Sequence, residues 1–293
     1  GIGPTSSPLS RRLIAFIINR CRRFIVRDAE SRDKAVSWGA DPERVIVAAD
    51  PAVVPLAAPL SGDLLRRLAT DFDISETFLE DFICVGPRDW FHYRPGGLLP
   101  YKYRQRLRVG RKGQAPAEDP RHTRYVDHLT DLVSELSRSS AVLLAPMHLA
   151  ENDTDLCRLL RERSARPEAV RILDKDTLSP SEFRSVVGQA RAMIGFRLHS
   201  NIVGISAAVP CLNIYYVDKG RVFFDQIAQS RFARPIEKVL EDDFVAETLR
   251  ELNELLTARD IVRAEIVEAT TALRHTVRDS FDEAFPAGIE SDL

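Results

Sequence analysis

Short β-branched runs alternate with amphipathic stretches along most of this 293-residue chain, and no other feature constrains its fold as much. Such alternation is the pattern of βαβ units, whose strands pair in parallel and bury both faces under helices. The runs RFIVRD and RVIVAAD, the second ending at Asp50-Pro51, frame a first cycle, with helices predicted over residues 11–23 and from Ser31 onward. The pattern breaks between Pro55 and Asp81, where prolines, a Ser-Gly pair and a short amphipathic stretch over 64–72 suit a crossing between domains.

A second set of cycles begins with FICVGPRDW. It continues through a helix over 123–138, the strand SAVLLAPMH, a helix over 154–163, the strand AVRIL and a helix opened by SPSEF. Ser179 or Ser181 suits the cap of that helix, and Pro180 suits its first turn. The strand RAMIGF, the small-residue helix SNIVGISAAV and the strand PCLNIYY complete the set, and helical spacing of apolar residues predicts helices from Leu240 to Phe285.

Composition excludes several classes. With 44% hydrophobic residues the chain can bury a sizeable core, and a formal charge of -2 gives no global attraction for nucleic acid, so any anion site must be local. Cys21, Cys84, Cys157 and Cys211 form no CxxC pair, as expected of reduced cytosolic thiols, and no metal-ligand spacing is present. The run LIAFII is far short of the roughly 20 apolar residues that span a bilayer, so no membrane span is predicted, and the thiols suit a cytoplasmic protein. The opening GIGPTSSP reads as the end of a strand running into a turn, so the first domain is expected to be truncated at its N-terminus.

Open parallel sheets bind ligands beyond the carboxyl ends of their strands. Arg88, His148, and the pair Arg197 and His199 stand at such ends. A helix starting near Ser200 adds unpaired N–H groups that favour an anion, Arg197 a charged planar fork, and His199 a group that exchanges protons near neutrality. Taken singly, Arg88 and His148 read more readily as structural. The pair Arg197 and His199, set between an apolar strand and a small-residue helix, does not, because burying both without partners is costly.

The segments GIGP, VRDAES, WGADPERVIVAADPAV, VGPRDW and IGFRLHSNIVGISAAVPCLNIYYVDK, in that order, resemble the signature of the polysaccharide pyruvyl transferase family over about residues 1–224. The most specific part is Gly-x-Arg-Leu-His followed by a small-residue helix, Val-Pro and a strand ending near Tyr-x-x-Lys. The resemblance implies an α/β, GT-B-like fold, in which two Rossmann-like domains with parallel sheets face a cleft. The corresponding division is a first domain's C-terminal part over 1–60, an interdomain crossing over 61–80, a second domain over 81–239 and C-terminal helices over 240–293.

Members of this family transfer the pyruvyl group of phosphoenolpyruvate onto two sugar hydroxyls, forming a pyruvate ketal in bacterial exopolysaccharide or cell-wall polysaccharide biosynthesis. On that reading phosphoenolpyruvate is the donor, no other cofactor or metal is expected, and the acceptor is a sugar or a lipid-linked oligosaccharide. Arg197, with Leu198 and Ser200 at the helix start, holds one anion, and Arg88 reaches the other across the cleft. His199 transfers the proton, and His148 is second for that role or orients the acceptor. Asp28, Asp50 and Lys219 complete the candidates, although Asp28 equally suits a helix start, Asp50 a turn, and Lys219 a solvated position.

The basic, aromatic stretch over 94–112 suits either a solvated insertion or a grip on a polyprenyl-diphosphate-linked or anionic acceptor or on the inner face of the membrane. The alternatives are a nucleotide-sugar GT-B glycosyltransferase or epimerase, for which no ribose-binding acid is evident between Gly195 and Tyr216, and a noncatalytic truncated member.

Overall fold

A computed structural model describes residues 2, 5, 7–90, 119–147 and 152–285. Its first part runs α1 (Pro8–Ile18), β1 (Phe24–Val26), α2 (Ala29–Ser37) and β2 (Val45–Val47), with β1 and β2 paired in parallel. Helix α1 starts earlier and ends sooner than the spacing predicts. Ser7 accepts a hydrogen bond from the Ser10 N–H at its start. At its end Asn19 turns away to bind the Gly39 carbonyl and the Asp41 N–H, which leaves Arg20 to Arg23 outside the helix.

After a single turn of 3-10 helix at Pro51–Val53 come α3 (Gly62–Phe72) and α4 (Glu76–Glu80). The order is then β3 (Phe82–Gly86), α5 (Pro120–Ser139), β4 (Ala141–Leu144), α6 (Asp153–Arg163), β5 (Val170–Ile172), α7 (Pro180–Val187) and β6 (Ala192–Gly195). Helix α8 (Leu198–Ser206), β7 (Cys211–Tyr215), α9 (Asp218–Gln226), β8 (Ala233–Pro235), α10 (Phe244–Thr257) and α11 (Arg259–Ala284) complete the described chain. Of the two serines in SPSEF it is Ser179 that caps α7, in a reciprocal pair with Glu182 and with Pro180 in the first turn.

The second sheet has six parallel strands in the order β5-β4-β3-β6-β7-β8. The chain winds outward one way from β3 and the other way from β6, so the order reverses between these two strands. A crevice opens at the carboxyl ends of strands at such a reversal. Buried Ile83, Val85, Leu143, Met193 and Ile194 make the sheet's core, and α5, α8 and α10 pack onto it.

The two sheets are tied together away from the crevice. Arg274 of α11 donates to the carbonyls of Val53 and Ser206, and Arg184 of α7 donates to the Ala52 carbonyl and to Ser206 Oγ. These bonds fasten the turn after β2 to the last turn of α8, satisfying carbonyls that packing would otherwise strand. No helix among the described residues is long and apolar enough to cross a membrane.

Candidate active site

A cleft of about 960 Å³ opens where the carboxyl ends of the two sheets face each other. Arg27, Asp28 and Lys34 line it from the first sheet's side, and Arg197, Leu198, His199, Tyr216 and Lys219 from the second.

Helix α8 reaches this position because the strands beneath it are bare. Gly86 on β3 and Gly195 on β6 are register partners. A Cβ at Gly195 would lie 2.3 Å from Asn201 Oδ1, and one at Gly86 3.0 Å from the Ser200 Cβ. The Asn201 amide bridges the carbonyls of Gly195 and Arg197 and Asn213 Oδ1, which joins helix, strand end and neighbouring strand.

The helix begins at Leu198, with Arg197 in extended conformation as its cap, rather than near Ser200. Ser200 is fully buried, and its hydroxyl donates to the Arg197 carbonyl at 2.7 Å and accepts the Arg197 N–H at 3.2 Å. Its side chain is therefore spent on the backbone and does not face the cleft, contrary to the role in anion binding expected from sequence. Leu198 does line the cleft.

The Nε of Arg197 donates at 2.6 Å to Asp153, a carboxylate only 1% exposed at the start of α6. The other Asp153 oxygen accepts the Asp89 N–H at 3.2 Å. A buried carboxylate holding one edge of a guanidinium fixes its plane.

Arg88 stands after β3, the strand adjoining β6, so it lies on the same sheet as Arg197 and does not reach across the cleft. It is 7% exposed, its guanidinium carbon 3.6 Å from the centroid of the Tyr216 ring, and its Nε and Nη1 have no hydrogen-bond partner among the described residues. Buried polar groups are nearly always paired, so two orphaned donors on one buried cation need an explanation. Stacking on Tyr216 offsets part of the cost, about 2 kcal/mol when desolvated, and supplies no acceptor. Tyr125 packs alongside, donating to the Arg88 carbonyl at 2.7 Å, and burial together with Asp89 and Asp153 raises its phenol pKa well above the ordinary value.

His199 is 59% exposed on the cleft, with Nε2 3.8 Å from Asp50 Oδ2. That same oxygen accepts from Arg27 Nη1 at 2.6 Å, and Asp50 Oδ1 accepts the Ala52 N–H at 3.1 Å. Asp50 thus caps a turn, as its position before proline suggests, and also stands between Arg27 and His199. Asp28 caps α2 by accepting the Ser31 N–H at 2.6 Å while lining the cleft. Lys219 is half-buried on the cleft wall, not solvated, and its ammonium pKa is lowered by burial first and then by Arg27. His148 and residues 94–112 lie outside the described residues. Among the described residues no group of three or more His, Cys, Asp or Glu side chains could hold a metal ion.

Sequence reasoning missed Asp153, Arg27 and Tyr216. Arg27 stood in the quoted VRDAES segment, but Asp153 in NDTDL reads only as a helix-start acid and Tyr216 as the end of a strand.

The family model described as polysaccharide pyruvyl transferase matches residues 1–218, which includes every one of these residues except Lys219. The chain belongs to the polysaccharide pyruvyl transferase family. No curated protein matches it. Among solved structures it is similar to Anabaena HepE in complex with UDP and glucose, with a TM-score of 0.51 at 10% identity over 94% of this chain and 67% of that one. HepE in complex with UDP alone gives the same TM-score and identity, over 94% of this chain and 68% of that one. The UDP-GlcNAc 2-epimerase of Neisseria meningitidis bound to UDP-GlcNAc is more distant, with a TM-score of 0.46 at 9% identity over 88% and 61% of the two chains. The likeness to HepE bears on the fold alone: this family member has a GT-B-like α/β architecture, with parallel sheets facing a cleft.

Proposed function

We propose that the chain transfers the pyruvyl group of phosphoenolpyruvate onto two hydroxyls of a sugar, forming a pyruvate ketal and releasing phosphate. The observation that carries this reading is the pairing of two arginines at the switch point. One, Arg197, is anchored by Asp153, and the other, Arg88, is buried with two donors unpartnered among the described residues. Phosphoenolpyruvate presents a phosphate and a carboxylate on one carbon, and adjacent strand ends about 4.8 Å apart suit two anions so spaced.

In the reaction the methylene carbon gains a proton, a sugar hydroxyl adds to the neighbouring carbon, phosphate leaves, and the second hydroxyl closes the ketal. Of the two hydroxyl protons displaced, one balances the new methyl group and the other leaves with phosphate. His199, open to the cleft and beside Asp50, is the group assigned to proton transfer, and a positioned acid or base of this kind contributes about 10²- to 10⁴-fold. Arg88 and Arg197 neutralise charge on the departing phosphate. The cleft volume leaves space for a sugar beside the donor.

The test is release of phosphate from phosphoenolpyruvate in the presence of a panel of sugars, with product mass checked for the pyruvyl adduct. UDP-glucose serves as the competing donor, because HepE is the fold relative and its structure holds UDP and glucose. Turnover of UDP-glucose with none of phosphoenolpyruvate would replace this reading with nucleotide-sugar transfer.

A further inference from the structure

A small ligand with two anions engages two arginines at once only if the spacing between them is held. The start of one helix holds both. Helix α5 begins with Asp119 as its cap, accepting the Arg121 N–H at 2.9 Å, and with Pro120 in its first turn. Its buried Tyr125, Leu129, Leu132 and Val133 anchor it in the core. His122 and Tyr125 are three residues apart, which puts them on one face of the helix, and they grip consecutive residues after β3. Tyr125 Oη donates to the Arg88 carbonyl at 2.7 Å, and His122 Nε2 lies 3.1 Å from Asp89 Oδ1. An ionised carboxylate only accepts, so this contact puts an imidazole proton on Nε2.

The Asp89 backbone carries the restraint on to the other arginine. Its N–H donates at 3.2 Å to Asp153 Oδ1, and Asp153 Oδ2 accepts from Arg197 Nε at 2.6 Å. The path from His122 through Asp89 and Asp153 to Arg197 thus crosses from the end of β3 to the end of β6 by way of the first turn of α6. Its joints are shielded: the His122 and Asp89 side chains are 15% and 10% exposed, and Asp153 is sealed. Hydrogen bonds in such surroundings compete little with solvent and fix position.

We propose that His122 is a positioning residue for the donor site: by holding Asp89 it sets the distance between Arg88 and Arg197, so that the pair takes a phosphate and a carboxylate borne on one carbon better than a single anion. The inference rests on the pyruvyl-transfer reading for the identity of the donor. Loss of the His122 bond loosens Asp89 and with it the N–H on Asp153, which uncouples the two arginines. Each arginine alone still attracts one anion.

The experiment is calorimetric titration of the full chain with inorganic phosphate and with phosphoglycolate, which bears phosphate and carboxylate on one carbon, as phosphoenolpyruvate does, but has no methylene to react. The wild-type chain is expected to prefer phosphoglycolate. His122→Phe keeps a ring in the space but donates no hydrogen bond, and lowers that preference at least about tenfold while phosphate binding is little changed. His122→Gln, whose amide donates to Asp89, keeps most of the preference. The double variant His122→Phe with Asp89→Leu removes the pair together and strands no Asp89 carboxylate, so it carries the test, with the same loss expected, where the single variant does not fold. A merely structural role lowers phosphate and phosphoglycolate binding by the same factor. That result, an intact preference in His122→Phe, a loss in His122→Gln equal to that in His122→Phe, or no preference in the wild-type chain overturns the proposal. The expected pattern in a chain that releases no phosphate from phosphoenolpyruvate with any sugar keeps the positioning role and counts against the donor reading alone.

Discussion

Asp153 and Arg197 meet at 2.6 Å between two helix starts, the carboxylate sealed from water and the arginine open to the cleft on its other side. The pair is asymmetric in what its loss leaves behind. Arg197→Ala strands a buried carboxylate, which costs about 3–5 kcal/mol. Asp153→Asn keeps shape and a hydrogen-bond acceptor for Arg197, whose partial exposure lets water help. Urea unfolding is therefore expected to show a clearly larger loss for Arg197→Ala than for Asp153→Asn, while both weaken phosphoenolpyruvate binding. Equal stability losses would contradict the sealed geometry.

Arg88 behaves in the opposite way. Its stacking on Tyr216 stabilises the fold, whereas two orphaned donors cost about 1–3 kcal/mol each, so Arg88→Met is expected to be near neutral or stabilising without ligand. Added phosphoenolpyruvate should raise the melting temperature of the wild-type chain and leave that of Arg88→Met unmoved, since only binding to the native state stabilises it. Thermal scans of the two proteins at matched ligand concentrations read this directly. A wild-type-like shift in the variant would remove Arg88 from the donor site.

His199 and Ser200 are neighbours with different duties. His199→Asn, at an exposed position, should leave stability within about 0.5 kcal/mol and lower turnover by about 10²-fold or more. Ser200→Ala, which deletes two bonds to the Arg197 backbone in a sealed site, should cost about 1–3 kcal/mol with little effect on phosphoenolpyruvate affinity. A ligand-affinity defect in Ser200→Ala larger than its stability defect would restore the serine to direct contact.

The thiols make a pH-dependent prediction. Burial pushes Cys84 up to about 12 and raises Cys157 and Cys211 well above the ordinary thiol value, whereas Cys21 is partly exposed. A raised thiol pKa means the protonated, unreactive form persists to higher pH. In native protein between pH 7 and about pH 9, a thiol-specific chromogenic reagent should label Cys21 alone, with the other three appearing only on unfolding. Rapid reaction of a second thiol in the folded protein would count against this packing.

Much of the fold was legible because its signals are local. β-branched runs mark β3, β4, β6 and β7, Ser179 and Pro180 mark the start of α7, and Gly-x-Arg-Leu-His places Arg197 and His199 at a strand end. Strand β8 and helix α9 were not separated from their surroundings, because three-residue strands and a helix as polar as DKGRVFFDQ carry little periodicity. The extent of α1 was misjudged because Asn19 terminates it through bonds to residues twenty and more positions away.

The sequence by itself determined that this is a parallel α/β chain of one recognisable family, with an arginine and a histidine where a core strand meets a helix, since propensity, capping and motif order all act over a few residues. Only the tertiary structure decided what those groups do to one another. Asp153 lies 44 residues from the arginine it holds, and Arg27 and Lys219 arrive from different sheets. Strand order brought Arg88 beside Arg197 and spent Ser200 on the backbone. Electrostatic energy depends on distance and burial in space, and neither is written in the spacing of residues along the chain.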